Sequence, residues 1–175
     1  YTEIMGYNLA TIKKLLEMEI EVSVVHFDHK KLSNYEIENL PKLKIYKRSQ
    51  MSKQDINNLV EEFKPDITVV SGWIDKDYLF AAKYLRKNKK VVVCLLDSNW
   101  EFSIKNLIKK LIFNLNIPPL FFSHYWIPGL VQYEFLKKLN VKDSKIIFDA
   151  FSADTNFFQK IYNDNVKNKE ISYPH

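Results

Sequence analysis

Two short stretches place polar and aromatic groups where a ligand could bind. Leu96-Asp97-Ser98-Asn99-Trp100 follows the apolar run Val91-Val92-Val93-Cys94 and precedes an amphipathic segment. Further along, Tyr125-Trp126-Ile127-Pro128-Gly129 again runs from an apolar strand into a helix. Carboxylate and amide side chains suit sugar hydroxyls, and an indole offers a flat apolar face with a polar tip. Where a strand opens into a helix, such groups stand at the carboxyl edge of a sheet. In open α/β sheets that edge is where ligands bind. Gly72-Trp73-Ile74-Asp75, after the run ending at Ser71, is a third loop of the same kind.

Each of these residues also has a plainer reading. Asp75 favours the start of a following helix, where carboxylates are stabilised by the exposed N–H groups. Asp97, Ser98 and Asn99 are common turn and N-cap residues. Trp73 can pack on a neighbour, whereas Trp100 is harder to explain by capping. Pro128-Gly129-Leu130-Val131-Gln132 turns backbone N–H groups toward any anion at the helix start. It has a single glycine and neither the Gly-x-Gly-x-x-Gly nor the Walker spacing. His26 and His29 lie near Asp28 without further ligands at a recognisable spacing, so no metal site is expected. His124 sits in an apolar run and reads as a satisfied buried histidine, and no Ser-His-Asp or Cys-His pairing is legible.

The elements that must carry these loops follow from periodicity. Apolar residues at helical spacing predict helices over 2–18, 55–63, 77–86, 102–116 and 129–139. Strands are expected over 20–27, 43–46, 66–71, 91–96, 122–127 and 146–148. Several of these strands are apolar on both faces, which indicates a parallel sheet covered by helices on both sides. The expected fold is a Rossmann-like three-layer α/β/α sandwich, with residues 1–158 as one domain and 159–175 as a polar linker. Such a fold normally opens on a strand but this chain opens on a helix, so the first strand is expected upstream.

Composition narrows the classes. The chain has 175 residues, 46% of them hydrophobic, enough for one substantial core. No apolar run approaches the ~18 residues of a membrane span. The net charge of +5 sets 26 basic residues against 21 acidic ones, which is poor support for nucleic-acid binding. The single cysteine, Cys94, reads as core filler in a reducing compartment. In the helix over 102–116, Ile104, Leu107, Ile108, Leu111, Ile112 and Leu115 form a stripe expected to face the core. Lys105, Asn106, Lys109, Lys110 and Phe113 occupy the other face, where a Phe among lysines suits an anionic bilayer or is simply solvated.

Leu96-Asp97-Ser98-Asn99-Trp100, then Trp126-Ile127-Pro128-Gly129 with Gln132, resemble the N-terminal domain of family 4 glycosyltransferases of the GT-B fold. So do Leu136-Lys137-Lys138-Leu139-Asn140-Val141, Lys145-Ile146, and Phe151-Ser152-Ala153-Asp154 with Phe157. Asn140 stands where that family usually has glycine. The resemblance implies an acceptor-binding domain facing a second, nucleotide-sugar-binding domain across a cleft. It also implies transfer with retention of anomeric configuration, as in polysaccharide or glycolipid synthesis in bacteria. The family's Glu-x7-Glu motif belongs to that second domain and is absent here. On this reading Trp73, Asp75, Asn99 and Trp100 line the acceptor side, and Asp97 is the candidate catalytic carboxylate. Gly129 and Gln132 face the interdomain cleft, and Lys105, Lys109, Lys110 and Phe113 dock on a membrane. No cofactor is expected in this chain. The donor sugar nucleotide belongs to the larger enzyme, and the setting is cytoplasmic or peripheral on the inner membrane face. The alternatives are a non-catalytic Rossmann-like ligand- or partner-binding module and part of a nucleotide-sugar epimerase.

Overall fold

The computed structural model describes residues 4–28, 40–151 and 153–172. Its elements run α1 (Gly6–Glu17), β1 (Val22–His26), β2 (Leu43–Lys47), α2 (Lys53–Phe63), β3 (Ile67–Ser71) and α3 (Lys76–Lys87). They continue with β4 (Val91–Leu95), α4 (Ile104–Asn114), β5 (His124–Trp126), α5 (Leu130–Lys138), β6 (Ile146–Ile147) and α6 (Thr155–Ser172). The strand pairs among the described residues are parallel, and parallel neighbours need a crossover connection rather than a tight hairpin turn. The fold is α/β and Rossmann-like.

The helix ends have local causes. Ser52 caps α2 through a reciprocal box, its hydroxyl accepting from the Asp55 amide while Asp55 accepts from the Ser52 amide. Lys64 then turns left-handed before Pro65. In α1 the buried Asn8 side chain accepts from the Met5 amide at 2.9 Å. After α5, Asn140 takes φ of 60°, a left-handed position that Asn tolerates better than most residues.

The sheet is divided. β1 and β2 form one pair, and β3-β4-β5-β6 form a second sheet in that order. The core divides with it. Ile4, Ile12 and Val24 pack with Leu9, Leu16 and Ile45 around α1. The main core joins Ile56, Ala82, Leu85, Val92, Cys94, Ile127, Phe135 and Leu136 beneath α2, α3 and α5.

Two segments differ from the sequence expectation. Residues 159–172, expected as linker, belong to α6, and its side chains over 158–166 are exposed. In α4 the two faces are exchanged. Ile104, Leu107, Ile108, Leu111 and Leu115 are 77, 48, 52, 59 and 63% exposed. Phe113 instead packs inward, 6.0 Å from both the Trp73 and Tyr125 rings. Buried Asn106 donates to the Glu101 carbonyl at 2.7 Å, and Lys109 lies over the Trp73 and Phe135 rings. An aromatic cluster, one satisfied amide and a cation over two rings thus anchor the face that periodicity assigned to solvent. Lys105 and Lys110 remain exposed, flanking the outward apolar stripe.

Candidate functional site

Parallel strands all deliver their carboxyl ends to one edge, so the loops after β3, β4 and β5 gather there. Gln132 in the first turn of α5 ties two of them together. Its side-chain amide donates to Asn99 Oδ1 at 2.9 Å and to the Asp97 carbonyl at 3.3 Å. The Asp97 side chain is exposed beside this bridge and has no hydrogen bond among the described residues. Tyr7, in the first turn of α1, faces the same carboxylate. Burial, and then the negative charge of Asp97, raise the Tyr7 phenol above its ordinary value. The Phe151 ring packs against Tyr7, tilted by 45° with centroids 4.5 Å apart. Gly129 caps α5 with extended backbone, and a side chain there would meet no atom within 4 Å.

An exposed carboxylate, two side-chain amides and a phenol thus line one corner. These groups supply both hydrogen-bond acceptors and donors, which is what a polyhydroxylated ligand needs. The sequence expectation contained Asp97, Asn99, Gly129 and Gln132 but not Tyr7 or Phe151. The glycine-to-helix opening Gly6-Tyr7 was the available signal for Tyr7.

Other candidates are placed differently. Asp75 is structural. Its Oδ1 caps α3, accepting from the Asp77 and Tyr78 amides at 2.8 and 3.1 Å. Its Oδ2 accepts from Arg48 Nε at 2.8 Å, and its side chain is only 9% exposed. Burial pushes this carboxyl up, but the Arg48 guanidinium and the two amides outweigh it and hold the group below its ordinary value. Arg48 also reaches Asp77 Oδ2 at 2.6 Å and the Met51 carbonyl, closing a polar clamp that the sequence did not reveal. Trp73 and Trp100 are half-buried props. Trp73 lies edge-on to Phe113, and Trp100 is 6.1 Å from Phe135 with Lys138 above its ring. Each keeps part of its surface at the edge, but neither is a free stacking plate.

His26 Nδ1 lies 3.0 Å from the Phe27 carbonyl, and His29 falls outside the described residues. His124 Nδ1 is 3.0 Å from the Ser123 hydroxyl, which also bonds β4 at Val92. Cys94 is fully buried, and burial pushes its thiol up to about 12, so it is no nucleophile. Among the described residues no group of three or more His, Cys, Asp or Glu is placed to hold a metal, and no helix is long and apolar enough to cross a membrane.

No protein-family model, curated protein or solved structure matches this chain.

Proposed function

We propose that this chain is the acceptor-binding domain of a retaining glycosyltransferase whose nucleotide-sugar donor is bound by a separate domain. The observation that carries the reading is the Asp97–Asn99–Gln132 corner, with Tyr7 beside it, at the carboxyl edge of a parallel sheet. Asp97 accepts from the attacking hydroxyl of the acceptor and orients it. The Asn99 and Gln132 amides and the Tyr7 phenol hold neighbouring hydroxyls. In the transfer step the acceptor oxygen bonds to the anomeric carbon as the bond from that carbon to the donor phosphate breaks. The hydroxyl proton passes from the acceptor oxygen to the departing phosphate oxygen of the donor. Gly129 leaves the mouth of the corner open to a donor across the cleft.

The acceptor proposed is lipid-linked. The loop that carries Asp97 and Asn99 runs directly into α4, whose outward stripe is apolar and flanked by Lys105 and Lys110. A helix with this face lies in a bilayer interface, and each lysine near anionic headgroups contributes roughly 1 kcal/mol. The docking face is therefore the aliphatic stripe with its flanking lysines, not the side that carries Phe113 and Lys109. A domain so placed works as a peripheral membrane protein on the cytoplasmic face.

Ligand-observed NMR with glycan and lipid-linked acceptors, alongside uridine- and guanosine-diphosphate sugars, tests the reading. Acceptor binding that weakens at least tenfold in Gln132→Ala, with no nucleotide-sugar binding, supports it. Tight nucleotide binding by this chain alone contradicts it.

A further inference from the structure

An apolar slot of about 610 Å³ opens between β1 and β3 and continues as a groove over one face of the second sheet, along Val91, Val93, Trp126 and Ile147. Ile12 and Leu15 of α1 close one side, and Ile56, Val60 and Ala82 of α2 and α3 close the other. Among the described residues β1 pairs only with β2, and β3 only with β4. The Val22 amide donates to Lys42 beside β2, and the Gly72 amide donates to Leu95 of β4. Backbone groups alternate sides along a strand. The backbone of Ser23 on β1, and of Ile67, Val69 and Ser71 on β3, is thereby turned into the slot. The Ser23 and Thr68 hydroxyls line the same slot, buried and without a hydrogen-bond partner. An unmet buried polar group costs about 1–3 kcal/mol, so a cavity edged by such groups is a poor resting state.

From this geometry we infer that the slot is the seat of one further β-strand, parallel to β1 and β3, supplied by polypeptide joined to the start of α1. That strand would merge the two sheets into one, in the order β2-β1-(added strand)-β3-β4-β5-β6. Connectivity selects the source. A strand leading through α1 into β1 must lie beside β1 and run parallel to it, and β2 already occupies the other side. The two open edges and this crossover carry the assignment, wherever the chain begins. Helices cover both sides of the slot, so the strand is apolar on both faces, with about five residues to match the length of β1 and β3. An apolar small molecule or an acyl chain would fill the volume but leave the backbone groups of both edges unmet. The inference does not depend on what the carboxyl-edge loops bind.

The test compares amide hydrogen exchange in three proteins. The first is the 175-residue chain. The second carries a Lys-Ile-Val-Ile-Val-Val-Thr segment ahead of Tyr1, and the third carries a Gly/Ser segment of the same length. Slowing of at least tenfold at Ser23, Ile67, Val69 and Ser71 only with the β-branched segment is the expected result. Equal exchange in all three overturns the inference. So does slowing in the unextended chain accompanied by dimerisation in sedimentation, which would make a second copy the occupant. Slowing of the same amides by added oleate, without the segment, assigns the slot to a lipid and also overturns it. If the extended protein aggregates, Thr68→Cys with a cysteine at the centre of the segment gives a second readout. Disulfide formation faster than with the exposed control Lys64→Cys supports the strand, and equal rates reject it.

Discussion

Exchange of the two faces of α4 gives the sharpest mutational prediction, because helical periodicity and the structure assign opposite roles to the same residues. Phe113 sits partly buried between Trp73 and Tyr125. Truncating a fully buried Phe to Ala costs about 3–5 kcal/mol. Partial burial reduces this, so Phe113→Ala is expected to cost about 2 kcal/mol. Leu111 is 59% exposed and Ile108 is 52% exposed. Substitution to Ser at such surface positions changes stability by no more than roughly 0.5 kcal/mol. In urea, with a slope of about 2 kcal/mol/M, Phe113→Ala should lower the midpoint by about 1 M. Leu111→Ser and Ile108→Ser should leave it nearly unchanged. Vesicle sedimentation completes the test. The two Ser variants should lose most binding to phosphatidylglycerol-rich vesicles, and Phe113→Ala should keep it under folding conditions. A Leu111→Ser cost above about 2 kcal/mol, with Phe113→Ala nearly neutral, would restore the arrangement read from periodicity and refute the reasoning.

Four other outcomes follow from individual side chains. Removing Arg48 as Arg48→Met leaves the buried Asp75 charge unpaired and should cost about 2–3 kcal/mol by urea unfolding, less than the full buried-pair penalty because Arg48 keeps some solvent contact. The folded carboxyl of Asp75 lies below its ordinary value. Its stabilising contribution is therefore complete above about pH 4 and disappears as pH falls through the folded value, so Asp75→Asn should flatten the acid limb of the stability–pH curve. Cys94, with its thiol pushed up to about 12, should react with a disulfide reagent at pH 8 only as fast as the chain unfolds, and denaturant should release it. Asp97→Asn should remove the negative charge that raises the Tyr7 phenol, shifting the Tyr7 absorbance titration to lower pH without loss of stability.

How legible was all this beforehand? The alternation of elements, the parallel sense and the carboxyl-edge loops are local or short-range properties, and β-branched runs such as Ile67–Ser71 and Val91–Leu95 carried them plainly. The Asp75 cap was legible as the plainer of two readings, since an Asp before a helix serves the free amides first. Its partner was not, because Arg48 is distant in sequence and no local pattern announces the pair. The orientation of α4 departs from its periodicity for a related reason. Periodicity shows which residues share a stripe but not which stripe meets the protein, and here one Phe, one Asn and one Lys find specific partners inside. Tyr7 joined the corner only once the first turn of α1 was seen beside Asp97.

The proposed function stands or falls at the corner formed by Asp97, Asn99, Gln132 and Tyr7. The most direct measurement is amide and side-chain chemical-shift mapping during titration with a polyprenyl-linked sugar acceptor in anionic nanodiscs, with empty nanodiscs as control. Sugar-dependent shifts at Asp97, Asn99, Gln132 and Tyr7, reduced in Asp97→Asn and reproduced by the free glycan at higher concentration, are the predicted result. Shifts confined to α4, identical with and without the sugar, would leave a membrane-binding domain without an acceptor site and contradict the proposal.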